Sequence, residues 1–431
     1  MKVTEKKMGD GYLKLEASAS PAEVNHAFTL AEQAFASQYG LRVSNSAQLA
    51  EMAKEQLGIK DLDAIINKDA LEFLAPFAVE KRNLIPAYPA KPASSETLKR
   101  NAPFDFTVTV KLKPDYELDS YDPVTVTLPP MEIHPEEVEA QIQQILSSYT
   151  EYIDVEPHPV GADDCFEIAL KVSQDGKELE NISTDNRLYV MGMGYMPPSF
   201  DENVMGMEVG QTKEFSFTLP GAEGEDTFDC VVTINQMKEK KIPELTDEWV
   251  RDHMFMFPTA AAMRESIEKV IAEEHKRQAD EMALSIAAAE LGKRFHQPIP
   301  DEAYEFMRSS IMENLQMNLA QQGIPFNEFV QSQGGEQTFG MMLMMQARQM
   351  LVQGYSLDAL FRHENMTIDD ADLMAAAAAL NPQNPGMVKQ MMEDTGRMYV
   401  LRESAQRLKA NRWLLDHAQV IEAEPTVPVA E

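Results

Sequence analysis

Residues 190–200 read VMGMGYMPPSF, with the types and spacing of one half of a binding pocket: a strand end, two glycines, then Met196, two prolines and Phe200. Such a stretch is either a working catalytic pocket or what is left of one. Other chemistry is sparse. Cys165 and Cys230 are too few for a disulfide framework, lack metal spacing, and read as buried thiols. The eight histidines form no HExxH motif or Cys/His cluster, and there is no P-loop, so neither metal nor nucleotide cofactor is expected.

The elements that would position such a pocket belong to a large chain. Its 431 residues have room for about two to four domains. A hydrophobic content of 44% and a charged content of 25% are those of a soluble globular protein. The first twenty residues contain no continuous apolar stretch, and runs such as 374–380 are too short to span a bilayer, so a cytoplasmic location without a membrane partner is expected. The net charge of −32 is unevenly spread: residues 1–115 carry 15 basic and 15 acidic side chains, 116–247 carry 7 and 28, and 248–431 carry 16 and 27. Three compositions suggest three modules. The acidic middle repels phosphate backbones, which argues against nucleic acid as its direct partner.

The hydropathy pattern changes with the charge. YLKLEASA alternates like a strand, Pro21 opens a segment with Val24, Phe28, Ala31 and Phe35 at helical spacing, and further helices are predicted over about 46–57 and 62–82. FDFTVTVKL alternates again, giving an α+β unit. YELDSYDPVTVTLPP reads as an extended connection, and HPEEVEAQIQQILSSYTEY as an amphipathic helix of about five turns. From 161 to 241 short strands follow, FEIALKVS, RLYVMG, EFSFTLP and CVVTINQM, with Asp175-Gly176 as a hairpin signal. After IPELTDEW, where Thr246 is a candidate N-cap, the chain reads as helical to about Val420, with long segments at 259–294, 301–321, 339–363 and 385–418.

An α+β head, a β domain entered by a helix and a long helical tail resemble, nearly end to end, the bacterial trigger factors, chaperones that meet nascent chains. The most specific stretches are FDFTVTVKLKPDYELDSYDPVTV, KKIPELTDEW, MEDTGRMYVLRESAQRLKANRWLLDHAQV, and VMGMGYMPPSFDENVMGMEVGQTKEFSFTLP, which is similar to the FKBP-type isomerase core. The resemblance implies a multidomain α+β chain: a head of ribosome-binding type at 1–115, a linker and amphipathic helix at 116–154, a degenerate FKBP-like domain at 155–242, an all-α chaperone domain at 243–421 and a flexible tail at 422–431.

The resemblance also implies prolyl isomerase activity in the β domain. The imide barrier is about 18–20 kcal/mol, and an FKBP-like site lowers it by seating the proline ring in a dry aromatic bowl that binds the twisted imide best. The wall positions that are usually Phe in the family are here Leu170, Leu179, Arg187 and Cys230, and the usual backbone donor falls on Pro197, which has no N–H. Phe200, with Met196 beside it, keeps the pattern. The implied catalytic positions are therefore Phe200, Met196, Pro197, Leu170, Leu179 and Cys230, and the expected activity is weak.

Trigger factors also carry a ribosome-docking loop reading Gly-Phe-Arg-x-Gly-Lys. Here its place is taken by Tyr39, Gly40, Leu41, Arg42, Val43 and Ser44, with Arg42 the single cation, so ribosome docking is expected to be weak and salt-labile. Eighteen of the 28 methionines fall between 251 and 400. Met341, Met342, Met344 and Met345 are the candidate client-binding residues; the alternative is that they fill gaps between helices. The main expectation is an ATP-independent chaperone for unfolded or newly made polypeptides. The alternatives are an active FKBP-type isomerase that uses its helices to capture substrate, and a non-catalytic scaffold for specific protein partners.

Overall fold

The structure is a computed structural model and describes residues 1–129, 134–174, 176–221 and 224–423. Asp175 of the expected hairpin turn and all of the expected tail beyond Ala423 lie outside the described residues. Contacts divide the chain into two units, one of residues 1–130 and 278–431, the other of residues 131–277.

The first unit begins with a hairpin, β1 (Lys2–Gly9) and β2 (Tyr12–Ala19). Asp10 and Gly11 both have positive φ, 50° and 73°, as a tight type I′ turn requires. Sequence patterning found β2 and missed β1, which is a mostly exposed edge strand rich in lysine, a composition that discourages pairing with other chains. The helices α1 (Pro21–Gln38), α2 (Ser46–Leu57) and α3 (Leu62–Lys81) lie where helical spacing predicts them, α1 opened by a Ser20/Glu23 capping box. With β3 (Lys91–Ala93) and β4 (Phe104–Lys111) the sheet order is β1-β2-β4-β3. Leu15, Ala17, Phe106 and Val108 belong to the core that the sheet shares with α1 and α3. The expected extended connection contains a short strand, β5 (Thr125–Leu128).

The second unit opens with α4 (Pro135–Ser147), shorter than the expected five turns because Glu151–Asp154 forms a strand, β6. Tyr152 and Ile153 favour the extended state, and β6 finds a ladder partner in the last four residues of β11. The sheet is built from β7 (Cys165–Gln174), β8 (Lys177–Glu178), β9 (Thr184–Val190), β10 (Thr212–Gly221) and β11 (Gly224–Lys241), in the order β10-β11-β7-β8, with β6 on β11 and β9 on β7. A short helix, α5 (Pro198–Val204), begins at the second proline of the PP pair. Further on come α6 (Asp247–His253) and α7 (Ala260–Gly292), of which the residues to 277 belong to this unit; Thr246 caps α6, its Oγ1 accepting from the Trp249 N–H at 3.2 Å. Val138, Ile142 and Leu146 of α4, at i, i+4 and i+8, pack with Trp249, Val250, Met263 and Ile267 in a small core of their own.

Returning to the first unit, α8 (Asp301–Gln321), α9 (Phe326–Ser332), α10 (Gly335–His363), α11 (Asp370–Leu380), α12 (Pro385–Asp394) and α13 (Met398–Asp416) precede a last strand, β12 (Gln419–Glu422), parallel to β5. Two expectations need correcting here. The helix does not reach Val420, because the β-branched Val420-Ile421 pair joins β5. Nor is 385–418 one helix: Gly396 interrupts it with φ of 68°, and a Cβ there would lie 2.7 Å from Phe77. Close packing of this break on α3 continues along α13, where Tyr399 joins the head core and Arg402 Nη1 meets Glu80 Oε1 at 2.5 Å.

A charged cluster joins α10 to α13. Arg407 donates to both carboxylate oxygens of Asp358 at 2.8 Å, and Lys113 Nζ reaches Asp358 at 3.2 Å and Glu403 at 2.5 Å. Among the described residues no helix is long and apolar enough to cross a membrane.

Candidate functional site

In the second unit a cavity of about 920 Å³ is bounded by β7, β9, β10, β11 and the segment that leads into α5. Of the positions expected from the sequence, Leu170, Arg187, Met196 and Pro197 line it. Phe200 does not: it is fully buried behind the wall, its ring 5.2 Å from Tyr189 and 5.5 Å from Phe215. Leu179 and Cys230 also pack into the domain core instead. Burial pushes the Cys230 thiol up to about 12, which keeps it protonated and unreactive.

Aromatic walls are nevertheless present, supplied by residues that position-by-position comparison passed over: Tyr152, Tyr189, Tyr195, Phe217 and Phe228. Phe217 and Phe228 are direct cross-strand partners with rings stacked at 5.5 Å. Strand alternation puts Phe228 on the same face as Cys230, so the aromatic ring has moved one pleat along β11. That alternation, legible in TFDC, was the signal that could have found it.

Asp201, in the first turn of α5, holds the pocket's edge. Its carboxylate accepts from the Tyr189 hydroxyl at 2.5 Å and from the Gly192 N–H at 3.1 Å. Burial, then the hydrogen bond to Asp201, keeps Tyr189 un-ionised far above the ordinary tyrosine range. The site thus offers fixed apolar walls and neutral hydroxyls, a surface suited to seating an apolar ring.

The head loop is anchored on both sides of its cation. Leu41 is buried, its N–H donating to Ala36 O at 2.8 Å, and Val43 packs against the head core. Tyr39 lies with its ring 4.8 Å from Phe35, Gly40 is exposed, and the Ser44 N–H donates to Gln48 Oε1 at 2.9 Å. Arg42 is exposed, and among the described residues it has no ion-pair partner.

On α10, Met341, Met342, Met344 and Met345 are all exposed, by 43% to 68%, while Leu343 among them and Ala347 just after them are buried. The gap-filling alternative therefore does not describe these four. Farther along the same helix, Met350 and Leu351 line a hollow of about 250 Å³ with Tyr88, Phe306, Tyr355 and Tyr399. Tyr88 and Phe306, rings 6.0 Å apart, also line a neighbouring hollow of about 490 Å³, so the two make one trough in which aromatic rings alternate with charged groups such as Lys111, Glu302 and Glu305. Sequence reasoning missed the trough because its residues come from four distant segments. Among the described residues no cluster of three or more His, Cys, Asp or Glu side chains could hold a metal.

Comparison with known proteins accounts for both ends of the chain. The sequence family described as bacterial trigger factor protein (TF) matches residues 1–145, and that described as bacterial trigger factor protein (TF) C-terminus matches residues 259–416. The trigger factor of Thermobifida fusca is 24% identical over all of this chain and 94% of its own length. That of Carboxydothermus hydrogenoformans is 32% identical over 40% of this chain and 42% of its own. A solved structure of the trigger factor chaperone is 19% identical, covering 96% of this chain and 99% of that one with a TM-score of 0.44. The chain belongs to the bacterial trigger factor family, whose members are ATP-independent chaperones for newly made polypeptides.

Proposed function

We propose that this chain, in the cytoplasm, captures unfolded or newly made polypeptides on the outward methionines of α10 and in the aromatic-lined trough farther along that helix. One observation carries this reading: four methionines within five residues stand in solvent on a helix whose opposite face is firmly packed. Contiguous exposed apolar surface is rare without a partner. Fully covering one such side chain is worth about 1.5–3 kcal/mol, so partial cover of several gives reversible binding without nucleotide. Replacing Met341, Met342, Met344 and Met345 together by Ser tests it. Suppression of aggregation of a denatured model protein, measured by light scattering without ATP, should require at least about fivefold more of the variant, since loss of even 1 kcal/mol is that large. Unaltered suppression by a folded variant would remove α10 from the proposal.

A second reading, weak prolyl isomerisation in the second unit, is favoured by the aromatic cavity. It is limited by Pro197, which offers no N–H to the substrate. A ribosome contact through the head would rest on Arg42 and be correspondingly weak.

A further inference from the structure

The cavity in the second unit lies in the most acidic part of the chain, residues 116–247, yet none of its described lining residues carries a carboxylate. Arg187 is the one charged group among them. It is exposed and, among the described residues, has no ion-pair partner. Two acids of the domain are engaged elsewhere. Asp201 accepts from Tyr189 and Gly192, and Glu167 is bound by Lys238 at 3.0 Å and by the Asn186 side chain at 2.8 Å. Register places Arg187 directly across from Ile168, which also lines the cavity. A free guanidinium beside aromatic walls, in a region that otherwise repels anions, is the arrangement that recognises an apolar ring with a carboxylate next to it.

We infer that the cavity is selective for polypeptide segments in which a proline follows an acidic residue, with Arg187 taking the carboxylate. This rests on the reading that the cavity receives polypeptide. The acidic surroundings set the contrast: a basic residue before proline meets Arg187 as a like charge, a neutral one meets no partner.

The test uses the full chain and three peptides capped at both ends, Ala-Glu-Pro-Phe, Ala-Gln-Pro-Phe and Ala-Lys-Pro-Phe, with binding measured by calorimetry. The expected order of affinity is Glu, then Gln, then Lys, with Glu over Gln by roughly fivefold, the size of a partly exposed charge-assisted contact. Raising the salt should shrink that ratio. Arg187→Gln should bring the Glu and Gln peptides to equal affinity, and Phe228→Ala should weaken all three. Equal binding of the three peptides, still weakened by Phe228→Ala, would overturn the selectivity and leave the cavity as a polypeptide site. Binding that Phe228→Ala leaves untouched, or no binding of any peptide, would overturn both.

Discussion

Two apolar surfaces in this chain are built on opposite plans. In the second unit the rings enclose a cavity and are held from behind, Phe200 buried against Tyr189 and Phe215, Asp201 tying down Tyr189 and Gly192. On α10 the apolar side chains face outward and only the helix beneath them is held, by Leu343 and Ala347. Fixed walls select one shape. A row of flexible thioethers on a firm helix accepts many, because each methionine has several rotatable bonds and no hydrogen bond to satisfy. What separates selective from promiscuous binding here is therefore the support given to the apolar groups, since both surfaces are apolar.

The largest expected effect comes from removing the support under α10. Asp358→Asn removes the carboxylate that Arg407 grips with two hydrogen bonds and leaves Arg407 and Lys113 with Glu403 alone, and loosening this half-buried cluster costs about 3 kcal/mol, readable as a fall in the urea midpoint. Its pH dependence is a second reading of the same group. Burial pushes the Asp358 carboxyl up, but Arg407 and Lys113 outweigh burial and hold it below the usual carboxylate range. A carboxylate lowered on folding contributes stability above its unfolded value, about 3.9, and loses that contribution as pH falls through the lower folded value. Stability should accordingly drop below about pH 4 in the natural chain, and this part of the drop should be missing in Asp358→Asn.

A smaller effect is expected at the cavity. Asp201→Asn removes a carboxylate that accepts two hydrogen bonds, at a cost of about 1–3 kcal/mol, and should lower both the thermal stability of the second unit and any isomerisation of Xaa-Pro peptides in a protease-coupled assay. Aggregation suppression should stay as it was. Were client capture to fall along with peptide binding, the two surfaces would not be independent and the contrast drawn between them would fail.

How much of this was legible in the sequence differs by element for physical reasons. The bounds of α2 and the Thr246 cap follow from local rules, cap residue and helical spacing, and both stand in the structure. β1 escaped because an edge strand buries little and so shows little alternation. The break at Gly396 is decided by Phe77, more than three hundred residues earlier in the chain, which no local pattern contains. At the cavity, reading single positions missed the rings because the packing requires an aromatic on one face of a strand, and Phe228 satisfies that as well as position 230 would. For α10, composition suggested an adaptable surface, while only the three-dimensional packing distinguishes outward Met341 from inward Leu343.

The smallest expected effect is in the head. With Leu41 and Val43 packed inward, Arg42 is the loop's one exposed cation, and one phosphate contact contributes little. Arg42→Ala should change cosedimentation with ribosomes by less than about fivefold at roughly 0.1 M salt, where the Debye length is about 10 Å. Tight binding that the substitution abolishes would show that one arginine suffices for docking, contrary to this account.

Client capture on the outer face of α10 is tested most directly by methionine oxidation with and without a bound unfolded client. In a short peroxide pulse followed by mass spectrometry, Met341, Met342, Met344 and Met345 should oxidise much faster than the buried Met237 and Met263, and addition of a reduced, unfolded protein should protect those four while leaving the buried pair unchanged. Oxidation of the four at the same rate with client demonstrably bound would contradict the account.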